Sequence, residues 1–90
     1  MIYSSKKGDL DLSKLTRLYP AAVVEMHGEV AEMSLEWIEM NQDKVTLRCF
    51  VLVFDFTPLH EDVKERVVLE FATKEELVAT MNEVAQLFHN

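Results

Sequence analysis

The chain of 90 residues contains few residues of the types that cross-link or interrupt a fold: one cysteine, two prolines and two glycines. A single cysteine, Cys49, excludes an internal disulfide and is typical of a reducing compartment, so we predict a cytoplasmic protein. So few glycines and prolines argue against long disordered linkers. The N-terminal residues lack the apolar core of a secretory signal. The length predicts one domain over residues 1–90.

Long apolar runs and catalytic motifs are also missing from the sequence. No run approaches the roughly 18 apolar residues of a membrane-spanning helix, so we predict no membrane partner. The chain has no Gly-rich phosphate loop, no GxSxG, no CxxC and no HExxH. We therefore predict no catalytic residues and no cofactor, and an enzyme is the less favoured interpretation. His60, Glu61 and Asp62 are adjacent residues of metal-binding types, but neighbours in sequence seldom converge on one ion, so we predict no metal site.

Charge is distributed unevenly within a net charge of −7. Residues 25–43 carry six acidic side chains and no basic one. This stretch predicts an acidic face for a basic protein partner, and it argues against nucleic acid, whose phosphates such a face repels. A solvated hairpin face is the alternative interpretation. The glutamates of the candidate acidic face are Glu25, Glu29, Glu32, Glu36 and Glu39.

The longest β-favouring run covers residues 45–56 and is rich in β-branched and aromatic side chains. From Cys49 onward both of its faces are apolar, which is typical of a central strand covered on both sides. If the even-numbered residues from Phe50 to Phe56 lie under a helix, the odd-numbered ones face the other way. Those odd-numbered residues, the candidate interface, are Cys49, Val51 and Val53.

The first half of the chain predicts a helix followed by two strands. Residues 11–19 space three leucines as on one face of a helix that Asp11 caps and Pro20 ends. Residues 21–27 predict a strand, and residues 33–40 predict a second one. A helix over residues 29–40 fits the apolar spacing as well and stays open as the alternative. Residues 41–44 predict a hairpin loop into the central strand.

The second half predicts a strand followed by a long amphipathic helix. Thr57 and Pro58 favour a single helical turn within residues 57–65. Residues 66–72 predict the fourth strand. Thr73 and Glu76 form a capping box. The helix of about four turns that follows carries an apolar stripe, formed by Leu77, Val78, Met81, Val84, Ala85 and Phe88.

These elements predict an α+β fold in the order α-β-β-β-β-α. We expect an antiparallel four-stranded meander with the C-terminal amphipathic helix packed on one face and a short N-terminal helix. The residues expected to be largely buried are Leu35, Trp37, Phe50, Leu52, Phe54, Leu69, Phe71, Leu77, Met81, Val84 and Phe88.

Four antiparallel strands followed by one amphipathic helix, over residues 21–88, resemble one unit of the whirly or Pur-type fold of single-strand nucleic-acid-binding proteins. The resemblance implies helix-mediated dimers and sheet faces rich in basic and aromatic residues. This chain departs from that pattern because residues 25–43 have no basic side chain. A nucleic-acid-binding role would require one basic groove, built from Lys6, Lys7, Lys14, Arg17 and Arg48.

The sequence therefore predicts a small non-enzymatic interaction or regulatory module. We expect it to be a homodimer, because the sheet face with Cys49, Val51 and Val53 needs a cover that a 90-residue chain can scarcely supply. Coverage of that face by the short N-terminal helix is the alternative. Two other functions stay open: a single-stranded nucleic-acid-binding protein of whirly or Pur-like topology, and a small-ligand binder with an apolar pocket between sheet and helix.

Overall fold

A computed structural model describes residues 1–60, 62 and 65–89 of the chain. It confirms an α+β fold with antiparallel sheets and a C-terminal helix. The elements in chain order are β1 (Ile2–Ser5), β2 (Gly8–Asp11), a 3-10 turn (Leu12–Lys14), β3 (Arg17–Met26), β4 (Glu29–Met33), α1 (Leu35–Met40), a second 3-10 turn (Gln42–Lys44), β5 (Thr46–Asp55), β6 (Arg66–Phe71) and α2 (Lys74–Phe88).

The strands form two sheets rather than one. β1 and β2 make a small hairpin, and the other four strands form an antiparallel sheet in the order β4-β3-β5-β6. β5 is an interior strand, as its two apolar faces predict. The sheet is not a simple meander, because β5 pairs with β3 and leaves β4 at the edge.

The predicted helix over residues 11–19 is wrong. Only the 3-10 turn is helical there, and Asp11 caps it by accepting a hydrogen bond from the Ser13 amide at 3.1 Å. From Arg17 the chain is a strand, because pairing with β5 outweighs the local helical spacing of the leucines. Pro20 is tolerated within this strand because β4 pairs with β3 only from Ala22 onward, which leaves Pro20 on an open edge.

The predicted strand over residues 33–40 is also wrong, and so is a single helix over residues 29–40. The chain is a strand up to Met33 and a helix from Leu35. Ser34 separates the two elements as an N-cap, since its hydroxyl accepts a hydrogen bond from the Trp37 amide at 3.2 Å. Consequently residues 41–44 connect α1 to β5 and are not a hairpin loop.

Hydrogen bonds join the two ends of the segment that connects β5 to β6. The Phe56 amide donates to the Glu65 carbonyl at 2.7 Å, and the Glu65 amide donates to the Thr57 hydroxyl at 2.8 Å. The described part of this segment, residues 57–60, 62 and 65, contains no helical turn. The rest of the turn predicted there lies outside the described residues.

The main core lies between the four-stranded sheet and α2. Its buried members from β5 and β6 face α2, and the β1–β2 hairpin with its 3-10 turn adds Leu10 and Leu12 to the same layer. Six of the expected core residues are buried: Leu52, Phe54, Leu69, Phe71, Leu77 and Val84. Four others are half-buried: Leu35, Trp37, Phe50 and Met81. The prediction for Phe88 is wrong, because its side chain is 47% exposed.

The N-terminus of α2 supports a first prediction. The Thr73 hydroxyl accepts a hydrogen bond from the Glu76 amide at 3.2 Å, which satisfies one of the free amides of the first turn. Thr73→Ala removes this bond and should lower the free energy of unfolding by about 1 kcal/mol. Thr73→Ser keeps the hydroxyl and should lose much less in a urea titration. An unchanged midpoint for Thr73→Ala would show that the cap does not stabilise the helix.

Candidate functional site

The side of the four-stranded sheet opposite α2, called the open face here, is covered by its own side chains. Its buried members are Ala21, Val51 and Val53, all from β3 and β5. The half-buried side chains packed around them also belong to strands, and they are Tyr19, Val23, Cys49 and Val68. Within the described residues, no helix contributes to this cluster.

The candidate interface residues all lie on the open face, but two of the three have no surface. Val51 and Val53 are 1% and 0% exposed in the single chain. Cys49 is half-buried and its thiol is free. Burial raises the pKa of Cys49, with a further contribution from the Glu70 carboxylate, so the unreactive thiol form is favoured.

An ion pair that crosses the sheet shields the end of the open face near Val53. The Arg66 guanidinium contacts the Glu32 carboxylate at 3.0 Å and donates to the Tyr19 hydroxyl at 2.7 Å. The Tyr19 hydroxyl in turn donates to Glu32 at 3.2 Å. Arg66 and Glu32 lie on the two edge strands, so the bridge spans β3 and β5, and Tyr19 in its middle is the register partner of Val53.

Tyr19 lies at the centre of the group formed by Glu32, Tyr19 and Arg66, called the arch here. The Arg66 guanidinium lies 6.0 Å from the centre of its ring, and the Arg17 guanidinium lies 4.9 Å from it. Burial raises the pKa of the Tyr19 hydroxyl, and the Glu32 carboxylate adds to the rise. Hydrogen bonds from Thr57 lower the pKa of the nearby Asp55 carboxyl. The positive charges of Arg17 and Arg66 are therefore balanced by the negative charges of Glu32 and Asp55. This neutral net charge makes the arch a poor site for an anion.

The arch supports a second prediction. Tyr19→Phe removes the hydroxyl that joins Arg66 to Glu32 and should lower the free energy of unfolding by about 0.5–1 kcal/mol. Tyr3→Phe is the matched control, because the contact of the Tyr3 hydroxyl with the Glu83 carboxylate is 3.5 Å long, at the limit for a hydrogen bond. Equal losses for both variants in chemical denaturation would contradict a stabilising role of the arch.

The five glutamates of the candidate acidic face come from three elements, β3, β4 and α1. Glu25 and Glu32 belong to β3 and β4, Glu29 begins β4, and Glu36 and Glu39 belong to α1. Three of these carboxylates are in ion pairs: Glu25 with Arg48 at 2.8 Å, Glu32 with Arg66 at 3.0 Å and Glu39 with Lys74 at 3.3 Å. The remaining two, Glu29 and Glu36, form no ion pair with any residue in the described part of the chain.

The basic residues that a nucleic-acid groove would need are dispersed as well. Lys6 donates to the Glu70 carbonyl at 2.6 Å and lies over the Phe71 ring at the β6 edge. Arg17 and Arg48 lie toward opposite ends of the four-stranded sheet, and Arg48 is paired with Glu25.

Among the described residues, no three histidine, cysteine, aspartate or glutamate side chains lie close enough together to hold a metal ion. Of the adjacent residues 60–62, Glu61 lies outside the described ranges.

An exposed apolar groove opens at the corner of the sheet, on the side of the helices. β4 pairs with β3 only over Ala22–Met26, and the short helix α1 packs on Ala22 and Val24 at that same end. The other half of β3, residues 17–21, therefore pairs with β5 on one side, has no β4 residue paired with it on the other side, and lies beyond the part of β3 on which α1 packs. This corner groove has a volume of about 280 Å³ and is lined by Leu18, Tyr19, Pro20, Leu52, Met81, Ala85, Phe88 and His89.

A second groove lies between α1, the start of β5 and the start of α2. Its volume is about 340 Å³, and its walls are mostly apolar side chains. The ion pair of Glu39 with Lys74 lies at its edge. The apolar lining residues are Leu35, Ile38, Val45, Leu47 and Phe50.

No family model, curated protein or solved structure matches this chain. The interpretation of its surfaces therefore depends on their own geometry. In the residues that the structure describes, no helix combines the length and the apolar character needed to cross a membrane. Sequence reasoning missed the arch and the corner groove. The one available signal for the groove was the excess of apolar residues in α2, more than a single buried stripe needs.

Proposed function

We propose that this chain is a small non-enzymatic interaction module that acts as a homodimer. The observation that supports it is the corner groove, where apolar side chains of β3 and α2 stay in contact with solvent. Leu18 and Phe88 are 38% and 47% exposed there, next to the half-buried Pro20 and Met81. Contiguous exposed apolar surface of this kind marks interfaces. A chain of 90 residues also gains stability from burying it, since it buries only about 60–65% of its unfolded surface alone.

Sedimentation equilibrium at micromolar concentration tests the homodimer. We expect a mass near twice the 10.4 kDa of one chain, decreasing toward 10.4 kDa on dilution. A mass of 10.4 kDa at every concentration would overturn the proposal.

We further propose that the partner of this module, beyond its own second copy, is a basic protein in the cytoplasm. The net charge of −7 and the unpaired carboxylates of Glu29 and Glu36 favour it, and the free Cys49 thiol suits a reducing compartment. Filter binding at low salt distinguishes this partner from nucleic acid. Tight, salt-sensitive binding of single strands would favour the whirly or Pur-like alternative.

The second groove favours one other candidate function, the binding of a small apolar ligand between sheet and helix. Its volume of about 340 Å³ is within the range of ligand pockets, and Lys74 at its edge could meet an acidic headgroup. Trp37 packs against the adjoining cluster and serves as the probe. Titration with decanoic acid should shift its fluorescence, and Leu47→Asp should abolish the shift. No shift in the unsubstituted protein would exclude this function for fatty acids.

A further inference from the structure

Helix α2 carries two apolar stripes, and only one of them is fully buried on the sheet. Leu77 and Val84 face the sheet and are 0% and 1% exposed. The second stripe, called the outer stripe here, follows the i, i+3, i+7, i+10 spacing of a coiled-coil seam. Its members are Val78, Met81, Ala85 and Phe88. Val78 and Phe88, at its two ends, are 42% and 47% exposed, Ala85 is exposed between them, and Met81 is half-buried against the core.

The outer stripe borders the corner groove, whose lining includes residues of both α2 and β3. Met81, Ala85 and Phe88 form one wall, and Leu18 and Pro20 of β3 form the other. α1 has six residues and is about 9 Å long, so it covers only the far end of β3. The space along the C-terminal half of α2 is therefore open to another helix, which would contact the outer stripe and the two β3 residues together.

We propose that this space takes α2 of a second copy, packed antiparallel along the outer stripe. The inference rests on the proposed homodimer and specifies its contact surface. An isologous dimer needs a self-complementary patch, and a seam of four apolar residues spaced symmetrically about position 83 is one.

The side chains beside the stripe favour the antiparallel arrangement. Glu75 lies beside one end of the stripe, His89 beside the other and the neutral Asn82 near its middle. Antiparallel packing brings Glu75 toward His89 of the second copy and places the two Asn82 side chains together. Parallel packing would instead bring this side of α2 against the Leu77 and Val84 side of the second copy, which is already buried on its own sheet.

Two other surfaces, the free edge of β3 and the open face, are less suitable for contact with a second copy. The free edge of β3 could extend the sheet, but Pro20 has no amide hydrogen to donate to an added strand. The open face holds Val51 and Val53 out of solvent beneath neighbouring side chains. The outer stripe, in contrast, is apolar, exposed at both ends and continuous with the corner groove.

Two aspartate substitutions at exposed valines locate the interface. Val78→Asp places a carboxylate on the outer stripe, where dimerisation would bury it, and should weaken the dimer about 100-fold. Val30→Asp is the matched control, because Val30 is 59% exposed on β4, on the side of the open face. It should leave the dimer intact. Ala85→Glu repeats the first test with a residue that favours helix, and far-UV circular dichroism checks that each variant folds.

The outcomes separate this inference from the proposed function. A dimer that survives Val30→Asp but dissociates with Val78→Asp and Ala85→Glu supports the α2 contact. A dimer that survives both α2 substitutions, or dissociates only with Val30→Asp, overturns the α2 contact and keeps the homodimer. An unsubstituted protein that is monomeric at every concentration overturns both.

Discussion

Replacing Phe54 with alanine is expected to lower the free energy of unfolding by about 3–5 kcal/mol, enough to unfold much of a small domain. Phe54 is 0% exposed and lies on β5, in the core beneath α2. Its ring also stacks on Tyr3 of β1, with the ring centres 6.1 Å apart and the planes at 12°. The substitution would thus leave a cavity where β5, α2 and the N-terminal hairpin meet.

Phe88→Ala is the matched control, since it removes the same side chain from an exposed position. At a concentration low enough to keep the chain monomeric, it should cost less than about 1 kcal/mol in a urea titration. A barely destabilised Phe54→Ala would contradict the burial of Phe54 and the position of β5 under α2.

Leu12→Ala is expected to cost about 2–5 kcal/mol. Leu12 is 2% exposed, in the 3-10 turn that follows the β1–β2 hairpin, and it packs in the same core as Leu52 and Phe54. The Leu12 amide also donates to the Met1 carbonyl at 2.8 Å, which ties the turn to the start of the chain. The large loss therefore tests whether the N-terminal hairpin is part of the core.

Leu59→Ala controls for the loss of a leucine side chain from the surface, because Leu59 is 84% exposed. It should change the free energy of unfolding by less than about 0.5 kcal/mol. Similar small losses for Leu12→Ala and Leu59→Ala would show that the hairpin does not pack on the sheet.

The elements with a strong local signal could be predicted from the sequence. β5 is β-branched and aromatic on both faces, and α2 begins at a capping box followed by apolar residues at helical spacing. In both elements the local preference and the final packing agree. The same consistency explains why the even-numbered residues of β5, such as Leu52 and Phe54, lie under α2 as expected.

The strand predicted over residues 21–27 is confirmed by β3, whereas residues 11–19 and 33–40 were predicted wrongly because distant contacts decide the structure of this part of the chain. Leu18 is paired with Phe54 in the sheet, and the Thr16 amide donates to the Asp55 carbonyl at 2.9 Å. Neither partner can be inferred from residues 11–19, whose leucine spacing suits a helix. Ser34 was the overlooked local signal, since an N-cap in the middle of a predicted strand marks the start of α1.

The surfaces depend on tertiary structure even more than the strands do. Tyr19, Glu32 and Arg66 are far apart in sequence and meet only because the sheet brings their strands together. The apolar residues of α2 were visible in the sequence, but not which of them would pack on the sheet. Docking on Leu77 and Val84 leaves Val78 and Phe88 exposed, and that division creates the outer stripe.

Cross-linking with a short bis-maleimide tests the α2 contact most directly. In a Cys49→Ser background, Asn82→Cys places a thiol near the middle of the outer stripe, close to the two-fold axis of the proposed dimer. Val30→Cys places the control thiol on the side of the open face. We expect a covalent dimer from Asn82→Cys at micromolar concentration and none from Val30→Cys. Cross-linking through Val30→Cys alone, or through neither variant, would contradict the docking of α2 on a second copy.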